Sequence, residues 1–214
     1  MNCFKTVACC LSVWLMMACT NNASTSDGAE KDSVACSIAK QTAVVENIMS
    51  RRSIRQYKEQ AVPREVLNEI MICGIHAPNG KGKQSWEIRI VDNPALQDEI
   101  KAVMAATGNE RAAGSFYNAP VWVFIARDKG YDFSSVDCGL LAQNIMLAAN
   151  AKGIGSVCLG SPVRFIMNSP ERDKVLPKLE FSEGYELCIC IALGYPDEAP
   201  QCKPRDAQKI KFID

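Results

Sequence analysis

Arg51-Arg52-Ser53-Ile54-Arg55 places three guanidinium groups and a hydroxyl within five residues. Arginine carries planar, forked donors that match the oxygens of a phosphate, so this stretch has the chemistry of an anion cradle. In extended or turn geometry alternate residues project to one side, and Arg51, Ser53 and Arg55 can then face one ligand. Lys203 and Arg205 repeat the alternation near the C-terminus. Two basic clusters at opposite ends of the chain can converge on a single phosphate. The alternative for the first cluster is a solvated basic turn.

Other chemistries find little support. The single histidine, His76, has no GxSxG elbow to serve and reads as structural. No CxxC pair or other metal-ligand spacing occurs, so no metal site is expected. Neither GxGxxG nor GxxxxGK[ST] is present, which argues against a nucleotide held in a doubly wound crevice. Lysine plus arginine equals aspartate plus glutamate at 24 each, so no broad basic surface exists to bind nucleic acid.

The elements that must position the basic residues follow from periodicity. Thr42 to Met49 is a short apolar helical segment. Pro63 opens a helix with apolar residues at Val66, Leu67, Ile70, Met71 and Ile75. APNGKGKQS is a loop by its glycines, and WEIRIVD alternates as a strand. A helix from Pro94 to Ala106 ends at Gly108, and APVWVFIARD is a buried strand. Val136 to Lys152 is apolar nearly all round, so a central helix is expected there, stopped by Gly153. GSVCLG predicts a short strand, Pro170 to Leu179 a short helix interrupted at Pro177, and YELCICIALGY a strand buried on both faces. Cys188 and Cys190 are expected to face one side of that strand as core packing, not as a redox pair. The proline-rich tail must pack on this domain or on another subunit.

The N-terminus reads separately. MNCFKTVACCLSVWLMMAC has a lysine followed by an apolar run too short to span a bilayer. Met16-Met17-Ala18-Cys19 resembles a bacterial lipoprotein processing box, which implies a signal peptide over 1–18 and lipidation of Cys19. An ordinary secretory signal is the alternative. Residues 19–40 are polar and aperiodic and read as a flexible tether, leaving 41–214 as the folded domain. The expected location is the cell envelope, lipid-anchored on the periplasmic side of a membrane. Eleven cysteines suit export poorly: after loss of the signal and lipidation of Cys19 seven remain, so at least one thiol stays free.

Four motifs in order resemble the FMN-dependent nitroreductase family, over roughly Thr42 to the C-terminus. They are Arg51-Arg52-Ser53-Ile54-Arg55; Ala77-Pro78 with Gln84 and Trp86, similar to a loop of form APSxxNxQPW; Gly153-Ile154-Gly155-Ser156 through Leu159-Gly160-Ser161; and Lys203-Pro204-Arg205. The proline loop departs from the family at Asn79, Gly82 and Ser85. The resemblance implies an α+β homodimer with a mixed central sheet flanked by helices, and active sites in the dimer interface. It implies that Arg51, Ser53, Lys203 and Arg205 hold the FMN phosphate, that Arg52 belongs to the cofactor-binding set, and that Arg55 lies near the pyrimidine edge. There a fixed positive charge raises the flavin potential. Pro78, Asn79, Gly80 and Gly82 would reach the cofactor from the neighbouring subunit, and Leu159, Gly160 and Ser161 would approach the ring. The implied reaction is ping-pong hydride transfer from NAD(P)H to FMN and on to a nitroaromatic, a quinone or another small aromatic acceptor. Two other readings stand beside it: an exported flavin lipoprotein that lacks NAD(P)H turnover or uses a protein donor, and an anion-binding domain that has lost FMN.

Overall fold

The chain divides into two compact units, Met1–Ala43 and Val44–Asp214. The computed structural model describes residues 41–213, nearly all of them in the second unit. The signal peptide, the tether, Cys19 and Cys36 lie outside the described residues.

Residues 41–50 are helical (α1). The further helices are α2 (Arg64–Ile75), α3 (Pro94–Ala105), α4 (Ser134–Ala151) and α5 (Ser161–Asn168), and the strands are β1 (Trp86–Val91), β2 (Val121–Asp128), β3 (Gly155–Leu159) and β4 (Tyr185–Gly194). The strands form one sheet in the order β1-β2-β4-β3, each neighbouring pair antiparallel. The parallel contribution is a single bridge, Ser53 to Ser156, on the outer edge of β3.

Alternation along β2 sorts the core into two layers. Trp122 and Phe124 face one way and pack with Ile100, Val103 and Met104 of α3 and Ile166 of α5. Val121, Val123 and Ile125 face the other way, onto Leu67, Ile70 and Met71 of α2 and Leu141 and Ile145 of α4. With helices on both sides, the first six residues of β2 are buried without a break. β4 is covered on both faces only from Cys190 onward; Tyr185 to Ile189 are mostly half-buried.

Three expectations need correcting. The helix expected over Pro170 to Leu179 is two short 3-10 turns, Arg172–Lys174 and Pro177–Leu179. The regular helix falls earlier, at α5, where Pro162 occupies a first-turn position that needs no donor. Cys188 and Cys190 do not share a face. The β2–β4 register shifts between Ile125 and Ala126: Ile125 pairs with Ile189, Ala126 with Leu187, and Cys188 is the unpaired bulge residue. Cys190 therefore enters the α3/α5 layer and Cys188 turns to the α4 layer. Lastly, α4 is central on one side alone. Leu141, Ile145 and Ala149 are fully buried, whereas Val136 is 57 % exposed and Leu140 40 %. Gly153 ends this helix with φ +71°, as expected for a left-handed stop.

Candidate functional site

Three anchors place the Arg51–Arg55 segment. At its start, the Arg52 guanidinium donates to the Met49 carbonyl (2.6 Å) and the Arg51 carbonyl (2.9 Å), capping the C-terminal end of α1. α1 is itself tied to α4: Asn47 donates to the Leu147 carbonyl (3.0 Å) and accepts from the Asn150 amide (2.8 Å). In the middle, the Ile54 N–H donates to the Ser156 carbonyl (3.0 Å), laying the segment along β3. Ile54 is buried, and a Cβ on Gly155 would stand only 2.9 Å from its Cγ1, so glycine is what lets the segment approach the strand. With Ile54 inward, its neighbours Ser53 and Arg55 point outward.

The third anchor is the C-terminal segment. Beyond β4 the chain turns back and pairs with residues 56–58. The Lys58 N–H donates to the Tyr195 carbonyl (3.0 Å), and the Asp197 N–H donates to the Gln56 carbonyl (2.9 Å). Glu198 completes the clamp: one carboxylate oxygen accepts from the backbone N–H of Arg55 and of Gln56 (3.2 Å). The Tyr57 hydroxyl donates to the Ile54 carbonyl (2.6 Å); burial, with Glu198 nearby, pushes this phenol well above the ordinary tyrosine range. From Glu198 the tail runs directly to Lys203 and Arg205.

Both basic clusters therefore line one cavity of about 120 Å³: Arg51, Arg52, Ser53 and Arg55 from one end of the chain, Lys203 and Arg205 from the other, with Pro200 and Gln201 between. No carboxylate lines it, and none of its cations forms an ion pair among the described residues. Arg51 Nη1 is buried without a hydrogen-bond partner, as is the Ser156 hydroxyl beneath. A buried guanidinium donor lacking an acceptor is costly unless a ligand supplies one. The cavity is thus suited to a compact, multiply charged oxyanion. Arg52, however, spends Nη1 on the α1 cap and is a structural member of the wall. Arg205 Nη1 similarly donates to the Lys203 carbonyl (2.9 Å), which holds the tail in a tight turn.

Arg55 lines the cavity and also faces Tyr117, its guanidinium 5.7 Å from the centre of that ring. Beyond Tyr117 lies a second groove that Ser161 also lines. Leu159 is buried, and Gly160 is the N-cap of α5.

The proline loop is elsewhere in this protomer. Pro78, Asn79 and Gly80 line an apolar surface hollow with Tyr131, Phe133, Val136 and Leu140, and no arginine lines it. Asp137 of α4, 2 % exposed, fastens the loop: it accepts from the Gly80 N–H (2.9 Å) and the Ser85 hydroxyl (2.7 Å). Asn79 accepts from the Gln84 N–H (2.9 Å), and positive φ at Lys81, Gly82 and Gln84 tightens the turn. Neither Asp137 nor Glu198 was singled out by sequence. Each acts across more than fifty residues, and an isolated acid gives no local signal of such a remote partner.

Comparison with known proteins bears on the fold and the family. A sequence model of the nitroreductase family matches residues 48–195. A protein of Methanothermobacter thermautotrophicus provisionally named NADH dehydrogenase/NAD(P)H nitroreductase is 30% identical over 169 residues, covering 73% of this chain and 79% of its own. The NADPH-flavin oxidoreductase of Vibrio harveyi is 27% identical over 171 residues, 75% of this chain and 69% of its own. Among solved structures, a nitroreductase with bound FMN from Desulfitobacterium hafniense superposes with a TM-score of 0.72 at 27% identity, covering 80% of this chain and 98% of that one.

Proposed function

The chain belongs to the nitroreductase family, and on that premise we propose that it is an NAD(P)H-dependent FMN oxidoreductase. The observation that carries the reading is the convergence of Arg51, Ser53, Lys203 and Arg205 on one small cavity with a buried, unpartnered guanidinium donor. These residues fit a terminal phosphate monoester, whose oxygens accept several charge-assisted bonds at once. A relative named NADPH-flavin oxidoreductase, another provisionally named NADH dehydrogenase/NAD(P)H nitroreductase, and a neighbour with FMN bound support FMN as the source of that phosphate.

FMN, when bound, supplies the two-electron hydride chemistry; the protein supplies position and field. Arg51, Ser53, Lys203 and Arg205 hold the phosphate. Arg55, between the cavity and Tyr117, sets a positive charge toward the rest of the cofactor. The acceptors we propose are nitroaromatics, quinones or similar small aromatics that visit the same site after the reductant leaves.

The active unit in this reading is a homodimer. Val44, Val45, Ile48 and Met49 of α1, Ile72 of α2 and Phe133, Val136 and Leu140 by α4 are exposed apolar residues, more than a lone protomer has reason to display. The tail adds Ile210, Phe212 and Ile213, 74 to 94 % exposed. A second copy covers both sets and brings the Pro78–Gly82 loop toward the partner's cofactor. We further propose anchorage to the envelope through a lipid on Cys19, supported by the Met16-Met17-Ala18-Cys19 pattern alone; Cys19→Ala would then release the protein from the membrane fraction.

The test is initial-rate kinetics on FMN-loaded protein with NADPH or NADH and a nitroaromatic. Parallel double-reciprocal lines are expected. The lipoprotein-like leader favours one second reading, an exported flavoprotein fed by a protein donor. A tightly bound FMN that neither nicotinamide reduces would favour it.

A further inference from the structure

The groove beyond Tyr117 is chemically unlike the phosphate cavity. It encloses about 480 Å³ and is lined by Arg111, Tyr117, Ser161, Arg164 and Phe165, with small residues between them and no carboxylate. That volume admits a substituted aromatic ring. The two arginines are not used internally. Neither forms an ion pair among the described residues, and no hydrogen bond engages either guanidinium; the Arg111 bond to Asn109 comes from its backbone N–H (3.0 Å). Arg164 rests 5.8 Å from the Phe165 ring centre, which orients its fork while leaving all its donors open.

The groove adjoins the proposed flavin site at two points. Ser161 follows Gly160 at the start of α5, and Tyr117 faces Arg55 across 5.7 Å. Two open guanidinium groups and two aromatic rings beside a redox site are a recognition surface for an aromatic molecule carrying negative charge.

We propose that Arg111 and Arg164 select the acceptor, and that the preferred class is a small aromatic bearing an anionic substituent such as a carboxylate, its ring against Tyr117 and Phe165. This rests on the FMN oxidoreductase reading, since the groove matters to catalysis only if the cofactor lies beside it. The arginines act on specificity; neither belongs to the phosphate cavity, so FMN binding is independent of them.

The experiment uses the full-length protein loaded with FMN. Benzoate and benzamide serve as unreactive probes, their binding read calorimetrically and from the change in the bound-flavin spectrum. 4-Nitrobenzoate and 4-nitrobenzamide serve as acceptors. Wild-type protein should bind benzoate at least tenfold more tightly than benzamide and show the same order in kcat/KM for the nitro compounds. Arg111→Gln and Arg164→Gln should each reduce that preference roughly tenfold, with FMN affinity and turnover of 4-nitrobenzamide unchanged. Equal affinity for benzoate and benzamide in wild-type protein overturns the proposal. So does a variant whose main change is the NADPH-to-NADH preference, which would assign the groove to the reductant's phosphate. Failure of FMN to bind at all overturns the flavin reading instead; the calorimetric comparison on flavin-free protein then still decides whether the groove selects anions.

Discussion

Replacing Arg51 by alanine should have opposite consequences for the empty and the loaded protein. In the empty protein Arg51 Nη1 is buried with no acceptor. An unpaired buried donor costs about 1–3 kcal/mol, and its removal returns that amount. Against this stands the loss of contacts made by the half-buried aliphatic stem, of similar size. The two nearly cancel, so unfolding of flavin-free Arg51→Ala should differ from wild type by less than about 1 kcal/mol. In the loaded protein the same donor meets phosphate, and a charge-assisted bond is worth about 1.5–3 kcal/mol, which weakens FMN binding about tenfold to a hundredfold. At an FMN concentration near 100 times the wild-type Kd, FMN stabilises wild type by about 2.7 kcal/mol; the variant would retain about 0.4–1.4 kcal/mol. Riboflavin has no phosphate, and its affinity should barely change. The assays are denaturant unfolding with and without FMN, and titration of both flavins. Destabilisation of flavin-free Arg51→Ala by several kcal/mol, or equal losses of affinity for FMN and riboflavin, would refute the assignment of this donor to the phosphate.

Glu198 offers a related test, because its carboxylate holds two backbone N–H groups of the cradle. Glu198→Ala should weaken FMN binding about five- to thirtyfold, a magnitude discounted for its partial exposure, while Glu198→Gln, which keeps an acceptor oxygen, loses far less; equal losses would mean that its charge and not the clamp matters. Cys188 is predicted to be the most reactive thiol among the described residues. The Cys138 thiol beside it, then the Arg127 charge, hold Cys188 below the ordinary thiol range, whereas the same partnership raises Cys138. With the folded value depressed, the Cys188 contribution to stability is present above the ordinary thiol value and is lost as pH falls through the lowered one. Alkylation mapped by mass spectrometry should have its midpoint below the ordinary thiol range, moving up into that range in Cys138→Ala; an unmoved midpoint refutes the pairing. Light scattering should report twice the chain mass, and removing residues 207–214 should shift the equilibrium toward monomer; stoichiometric FMN binding by a stable monomer would contradict the shared site.

The sequence-based expectations succeeded where interactions are local and failed where they are remote. Pro63, Gly108 and Gly153 bracket their helices because proline and glycine act on their own backbone. The alternation of Ser53, Ile54 and Arg55 was readable for the same reason, once Ile54 is taken as the inward residue. The bulge at Cys188 was not readable: it is a property of the pairing between β2 and β4, and a one-residue slip turns every later side chain over. α5 was masked because Ser161-Pro162 reads as a turn unless Leu159 and Ile166 are known to share a core layer. The return of the tail was expected, but its cause, Glu198 on the Arg55 and Gln56 amides, is a contact between residues 142 and 143 positions apart. Arg52 lines the cavity, and its Nη1 also caps the exposed end of α1, a second use that its residue type does not announce.

The central claim is a phosphate-anchored FMN that takes a hydride from NAD(P)H. Anaerobic titration of the FMN-loaded protein with NADPH, followed in the visible flavin band, tests it most directly. Complete bleaching is expected at one equivalent of reductant per bound FMN, with full return of the band when a nitroaromatic is added. A bound FMN that stays oxidised in excess NADPH and NADH would contradict it.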